Sequence, residues 1–170
     1  MVINMKNLAI SALLVMMVNI CCAQSTQSNS PDSAQSRINS LINNLHAHRV
    51  ERVEILNIPA YILTMAAVAP SSLEENFFYK FIITTNGMHS YSATLESAVL
   101  STSVQPASEM GDMRWGVIFY DSSGHRVGSI YYDSSGQRGA VDSFPVLFKG
   151  GFFKGNLFKW LESNFSTVFK

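Results

Sequence analysis

Apolar positions in the first third of the chain follow two different periods. They recur with the i, i+3, i+4, i+7 spacing of an amphipathic helix at Ile38, Leu41, Ile42 and Leu45. This spacing predicts a helix from Ser33 to about His48. An imperfect alternation of apolar and polar residues then runs over 50–58 and is stopped by Pro59, which predicts a strand.

The middle of the chain is less regular. Residues 61–68 are apolar but follow neither period. Residues 70–75 contain two overlapping capping boxes and predict a short helix. The aromatic and β-branched run 77–85 predicts a buried strand, and Asn86-Gly87 is expected to turn it.

Two more helices are predicted towards the C-terminus. Residues 91–101 have helical spacing and precede a loop at Pro106, and a strand at the sheet edge is expected over 145–148. Asn156 is a cap for a last helix, which should close over the sheet with one apolar arc. That arc consists of Leu157, Trp160, Leu161, Phe165 and Val168.

An internal repeat predicts two β-hairpins in series. Residues 118–126, IFYDSSGHR, recur twelve residues later as 130–138, IYYDSSGQR. In each copy the Asp carboxylate can cap a turn and the Gly can take the positive φ that closes a three-residue loop. The carboxylates are too few for a calcium loop. The product is a three-stranded antiparallel meander.

The loop length sets a predicted register, in which Asp121 pairs with His125 and Asp133 with Gln137. One face, expected to be the core face, then collects Trp115, Val117, Phe119, Val127, Tyr131 and Val141. The other face collects Gly116, Ile118, Tyr120, Arg126, Gly128, Ile130, Tyr132 and Arg138. A four-residue loop would shift every pair by one.

The second of these faces is the predicted binding surface. Tyr120 falls opposite Arg126 and Tyr132 opposite Arg138, and Tyr and Arg are enriched at binding hot spots. Two structural alternatives are that each Tyr stacks on its cross-strand Arg in solvent, or that another helix covers this face.

The start of the chain has the order of charge, apolar stretch and small residues that is typical of a secretory signal peptide. Lys6 precedes an apolar stretch over 8–18, which is shorter than the roughly 20 residues of a membrane-spanning helix, and Cys21-Cys22-Ala23 follows. We predict a signal peptide over 1–23. Translation starts at Met1 or at Met5.

Cleavage after Ala23 would remove both cysteines and one cation. The mature chain then has no thiol or disulfide, and it contains 11 Lys and Arg residues against 12 Asp and Glu residues. This balance argues against nucleic acid as a partner. Lipid attachment to Cys21 or Cys22 is disfavoured, because Ile20 and Cys21 stand where a small residue is expected.

Residues 24–36 are rich in Ser, Gln and Asn and are predicted to be a disordered polar segment. Residues 37–170 are then one domain. The order of elements predicts an α+β fold whose mainly antiparallel sheet contains the C-terminal meander, packed by about three helices.

Motifs for catalysis and cofactors are missing from the sequence: it has no Gly-x-Ser-x-Gly, Ser-x-x-Lys or HExxH motif and no phosphate-binding glycine loop. His46-x-His48 is interpreted as a polar helix terminus rather than a metal site. His89 and His125 have no partner in the local sequence. No cofactor or metal is predicted.

These observations favour a periplasmic or secreted, non-enzymatic domain that binds a protein in the cell envelope or outside the cell. Examples are an inhibitor or a protective partner of an exported enzyme. The candidate surface is Tyr120, Arg126, Tyr132 and Arg138. Two alternatives stay open: a small secreted hydrolase that uses His89 or His125 with an Asp, and a structural component of a cell-envelope assembly.

Overall fold

A computed structural model describes residues 31–149 and 156–165, which form four helices and a seven-stranded sheet. The helices are α1 (Pro31–His46), α2 (Pro70–Glu75), α3 (Thr85–Leu100) and α4 (Asn156–Phe165). The strands are β1 (Arg52–Asn57), β2 (Tyr79–Thr84), β3 (Val104–Pro106), β4 (Met113–Tyr120), β5 (Arg126–Asp133), β6 (Arg138–Val141) and β7 (Phe144–Phe148). The predicted α+β class is confirmed.

All strand pairs of the sheet are antiparallel, and the strand order is β2-β1-β4-β5-β6-β7-β3. Strands β4, β5 and β6 are neighbours in both sequence and space, so the predicted meander is present. Strand β7 extends it, but β7 is not the edge strand that was predicted, because β3 pairs with its outer side. Strand β1 joins the other side of β4 from a distant part of the chain.

Each face of the sheet carries its own hydrophobic cluster. The main cluster lies under the three longer helices, with Ile38 of α1, Leu95 of α3 and Leu157 of α4 all 0% exposed. The smaller cluster lies on the opposite face, where Leu73 of α2 packs with residues of four strands and of the loop before α2. Because both faces are covered, the central strands are buried on both sides.

Helices α1 and α2 differ from the prediction at their N-termini. Helix α1 begins at Pro31, so residues 31–36 of the segment expected to be disordered are helical, and Ala34 packs into the main cluster. Helix α2 has the predicted range, but its N-cap is Ala69 and no side chain caps it. Pro70, at the first helical position, is already set for the helical φ.

Three predictions around β2 were wrong. Strand β2 is an edge strand with alternating burial and an exposed Ile82, not a buried strand. Asn86-Gly87 forms no hairpin, because α3 begins at Thr85 and continues to Leu100. The predicted loop at Pro106 is the short strand β3, which pairs with β7.

The two repeated turns have the predicted chemistry. The Asp121 Oδ1 accepts hydrogen bonds from the backbone N–H of Ser123 (2.9 Å) and His125 (2.8 Å). In the second turn, the Asp133 Oδ1 accepts from Ser135 (3.1 Å) and Gln137 (3.2 Å). The closing glycines have φ values of 78° at Gly124 and 70° at Gly136.

The register beyond the first turn was predicted wrongly, because β5 contains a bulge at Val127. Tyr120 pairs with Arg126 as expected, but Phe119 pairs with Gly128, and the shift by one residue continues to Trp115↔Tyr132. Tyr131 and Tyr132 therefore exchange faces. In the second hairpin Tyr132 pairs with Gly139 instead of Arg138.

Several sequence predictions lie outside the described residues. These are the signal peptide over 1–23 with its cysteines, residues 24–30 of the polar segment, and Val168 of the last apolar arc. The rest of that arc is confirmed, since Leu157, Trp160, Leu161 and Phe165 are buried.

Candidate functional site

The four residues of the predicted binding surface do not share one surface. Tyr132 is 0% exposed and belongs to the main cluster, where its ring centroid lies 4.2 Å from that of Phe148 and 5.4 Å from that of Phe158. Arg138 is exposed at the start of β6. The bulge at Val127 has removed Tyr132 from the face that it was expected to share with Tyr120 and Arg126.

Tyr131 takes the place of Tyr132 on the second face, in a polar network under helix α2. The Tyr131 hydroxyl donates a hydrogen bond to Glu74 Oε1, and Arg126 donates both to that hydroxyl and to Glu74, at 3.0 and 3.2 Å. Burial, and then the bond to Glu74, raise the pKa of Tyr131 well above its ordinary value. These contacts hold α2 on the sheet, which agrees with the alternative that a helix covers this face.

The network continues across β5 to α1. Arg126 also donates to Ser129 Oγ, and Ser129 Oγ donates to Asp142 Oδ1 at 3.0 Å. The other Asp142 oxygen accepts from Arg37 of α1 at 2.8 Å. Ser129 is 1% exposed, and the described hydrogen bonds join its hydroxyl to Asp142 and Arg126, not to a histidine or lysine that would activate it, so this geometry does not support a serine nucleophile.

A cleft of about 460 Å³ lies between α2 and the turn that joins β6 to β7. It is lined by Pro70, Ser71, Glu74, Glu75, Arg126, Asp142 and Ser143. Glu74, Arg126 and Asp142 are already bound to one another through the network or to Arg37. These charged groups therefore stabilise the fold.

Tyr120 is part of a second polar group at the open end of the same face. The Arg52 guanidinium lies 4.2 Å from the centroid of the Tyr120 ring, and the Tyr120 hydroxyl donates to Glu54 at 3.4 Å. Glu54 is 7% exposed and forms an ion pair with Lys80 at 2.9 Å. Tyr120 therefore does stack on an arginine, but on Arg52 of β1 and not on Arg126.

The histidines whose side chains are described do not form a catalytic or metal-binding pair. His46 Nε2 lies 2.9 Å from Glu96 of α3, whereas His48 is exposed. His125 lies 3.6 Å from Asp121 on the same turn, with its side chain 82% exposed. The side chain of His89 lies outside the described residues.

The most unusual surface feature is the long irregular loop over residues 58–69, between β1 and α2. Connections in compact domains have a median length of about 4–6 residues, and longer ones are often functional. Its side chains include Tyr61, Leu63 and Met65, which are 65%, 94% and 109% exposed. Water-exposed apolar side chains in such a group are typical of interaction sites.

Arg114 holds this loop in place from β4, although its own side chain is only 9% exposed. Its guanidinium donates to the backbone oxygen of Ile62 at 2.8 Å and to Thr64 Oγ1 at 3.1 Å. Asp112 accepts from Arg114 Nε at 2.8 Å, and its other oxygen accepts from the Val68 N–H at 2.8 Å. We call Asp112 and Arg114 the clamp.

The clamp fixes the backbone on both sides of Leu63 and Met65 while their side chains point to solvent. In the sequence, residues 61–68 are apolar and follow no regular period. A further signal was present, since no charged residue occurs between Glu54 and Glu74. The clamp itself was not predictable, because Arg114 lies about 50 residues from its loop partners.

Comparison with protein-family models, curated proteins and solved structures finds no match. Among the residues that the structure describes, no helix has the length and apolar character needed to cross a membrane. In the same part of the chain, no three His, Cys, Asp or Glu side chains converge as metal ligands would.

Proposed function

We propose that this protein is an exported, non-enzymatic domain that binds a folded partner protein by inserting the loop 58–69 into an apolar pocket of that partner. The observation that carries the proposal is the exposure of Leu63 and Met65 on a backbone that the clamp holds on both sides. The expected binding function is kept, but its proposed surface is now this loop instead of Tyr120, Arg126, Tyr132 and Arg138.

The rigid backbone supports a role in recognition. Ordering a flexible loop on binding costs free energy, and a loop that is already held in one conformation avoids much of that cost. Arg114 contributes four hydrogen bonds to Ile62, Thr64 and Asp112 for this purpose. Exported inhibitors of enzymes are one class of protein that would use such a loop.

The chemistry of the loop favours a protein partner with an apolar pocket. Leu63 and Met65 offer apolar side chains and no charge, and the surrounding sequence from residue 55 to residue 73 is uncharged. A protein segment that binds a membrane surface usually carries Lys or Arg beside its apolar residues. A nucleic-acid-binding protein requires a basic surface. A concave apolar site is the complement of two protruding apolar side chains.

The test compares two double variants with the same chemistry. Leu63→Ala with Met65→Ala removes the protruding side chains, whereas Leu100→Ala with Met110→Ala removes the same residue types at sites that are 44% and 37% exposed. Proteins retained by the immobilised mature chain from envelope and culture-medium extracts are identified, and each is then purified and titrated pairwise. We expect a stoichiometric partner whose affinity falls by about 2 kcal/mol, roughly 30-fold, for the loop variant only.

Two results would overturn the proposed surface. One is a partner that binds the loop variant and the wild type equally. The other is sedimentation with phosphatidylcholine or phosphatidylglycerol vesicles that is lost in the loop variant, since the loop would then bind lipid.

Export is tested separately. We expect the protein isolated from the producing cells to begin at Gln24 and to be found in the periplasm or the medium. A chain that keeps Met1 or Met5, or a lipid on Cys21 or Cys22, would contradict this part of the proposal.

A further inference from the structure

The two edges of the sheet are protected to different degrees. Edge strand β3 has three residues, contains Pro106, and has its Val104 N–H bound to Gln35 Oε1 of α1 at 3.3 Å. Short length, proline and a covering helix are common ways of preventing an edge from pairing with another chain. Strand β2, at the other edge, has six residues and none of these features.

The direction of the β2 backbone groups follows from two hydrogen bonds. The Asp121 N–H donates to His125 and the Ile58 N–H donates to Arg114, so the even-numbered residues of β4 and β1 point their backbone groups at each other. The odd-numbered residues of β1 therefore point towards β2. Because Tyr79, Phe81 and Ile83 are their partners, the N–H and C=O groups of Lys80 and Ile82 point away from the sheet.

Among the described residues no strand pairs with this outer edge of β2. Ile82 is 55% exposed on it. Lys80 is the one charged residue of β2, and it forms an ion pair with Glu54 at 2.9 Å. The edge thus offers outward backbone donors and acceptors beside an apolar side chain, and its charge is already compensated.

We infer that a second copy of this chain pairs with this edge, β2 against β2, so that two sheets join into one antiparallel sheet across a two-fold axis. Backbone groups that point outward from an edge strand can form a further ladder of hydrogen bonds with an added strand. A register centred on Ile82 places Ile82 opposite its own copy and Lys80 opposite Thr84 of the second copy. Phe81 then lies opposite Ile83, and no like charges face each other.

The self-pairing is tested by measuring the molar mass of the purified mature chain over a wide range of concentration. We expect a concentration-dependent dimer. Ile82→Lys places two cations opposite each other and should weaken dimerisation at least tenfold, whereas Leu100→Lys, at another exposed apolar site, should leave the dimer intact.

A second variant tests the backbone directly. Ile82→Pro removes an N–H that points outward, so the bonds between β2 and β1 remain and the thermal midpoint should stay close to that of the wild type. The dimer should nevertheless be lost. In hydrogen exchange, the amides of Lys80 and Ile82 should become protected as concentration rises, while that of Phe81 stays protected throughout.

Three outcomes would overturn the inference. They are a wild-type chain that is monomeric at every concentration, a dimer that persists in both Ile82 variants, and a dimer that is lost in Leu63→Ala with Met65→Ala but not in Ile82→Pro. The last result would place the self-contact in the loop 58–69. If the loop variant loses partner binding but still forms the dimer, the result supports the proposed function without affecting this inference. The two proposals are therefore tested independently.

Discussion

Tyr131 and Tyr132 show how far the surroundings of two adjacent, fully buried residues can differ. The Tyr131 hydroxyl lies between the carboxylate of Glu74 and the guanidinium of Arg126. The Tyr132 hydroxyl interacts with the Thr102 side chain but completes no hydrogen bond of ordinary geometry in the described structure. A tyrosine hydroxyl therefore stabilises the fold at residue 131, whereas at residue 132 its desolvation lowers the free energy of unfolding.

Replacing each of these tyrosines by Phe should separate the two effects. Tyr131→Phe removes a hydrogen bond to a carboxylate and leaves Glu74 and Arg126 short of a partner, so we expect a loss of about 1.5–3 kcal/mol in the free energy of unfolding. Tyr132→Phe should change it by less than about 0.5 kcal/mol or increase it. Urea denaturation of the two variants is the measurement, and equal losses would contradict this account.

The same burial predicts a loss of stability in alkaline solution. The pKa values of Tyr131 and Tyr132 are raised above the ordinary value of about 10, chiefly by burial, so the folded state holds both protons more tightly than the unfolded state. Their contribution is complete below pH 10 and decreases as the pH rises above it. Between the pKa of the unfolded state and that of the folded state, each residue lowers the free energy of unfolding by about 1.4 kcal/mol per pH unit.

Urea denaturation at several pH values between 9 and 12 checks this expectation. Tyr132→Phe supplies the matched comparison, since it removes one titrating group and leaves the other tyrosines in place. The free energy of unfolding should therefore fall less steeply with pH in this variant. A slope that Tyr132→Phe leaves unchanged would show that this hydroxyl does not contribute.

At the scale of elements, the two repeated hairpins have the same turn but different neighbours. Gly124 and Gly136 both have positive φ. A Cβ added at Gly124 would meet nothing within 4 Å, whereas one added at Gly136 would lie 2.5 Å from the ring of Phe158 in α4. The second turn is therefore also a packing site for the last helix.

This difference gives a test with a built-in control. Gly124→Ala should cost about 1 kcal/mol, which is the cost of a positive φ for a residue with a side chain. Gly136→Ala carries the same cost plus the displacement of Phe158, so we expect it to lose at least about 1 kcal/mol more. The two free energies of unfolding decide the question, and equal values would mean that α4 does not pack on this turn.

The elements that are set by local chemistry could be predicted, and those that depend on distant packing could not. Asp, Ser and Gly determine the turns at Asp121 and Asp133 without help from the rest of the chain. The bulge at Val127 has no local signature. It places Ile130 with the main cluster and brings the Tyr131 hydroxyl to Glu74, so its position depends on both faces of the sheet.

At the scale of the whole molecule, the clamp connects the start of β4 to the loop 58–69. The sequence gives an uncharged apolar run at this loop, but the run alone fits a strand, a buried loop or an exposed loop. The contacts of Arg114 with Ile62 and Thr64 select the exposed loop, and they can form only once β1 and β4 are paired. The candidate site could not be predicted from the sequence for this reason. The expected binding function remains a proposal.

Loosening the clamp should expose the loop to proteases. Asp112→Asn weakens the charged partner of Arg114, so we expect chymotrypsin to cleave after Tyr61 or Leu63 at least several times faster under native conditions. Arg37→Ala, which breaks the ion pair with Asp142 at a distance from the loop, serves as the control. Equal cleavage rates in the two variants would show that the clamp does not restrain the loop.

The strand order also has a consequence for the time course of folding. Strands β4 to β7 pair with their neighbours in sequence, whereas β1 must reach β4 across more than 50 residues before the sheet has its full width. Pairings between distant segments form more slowly than local ones. We therefore expect the last four strands to assemble first, and the loop 58–69, which depends on the contact between β1 and β4, to become ordered late in the folding reaction.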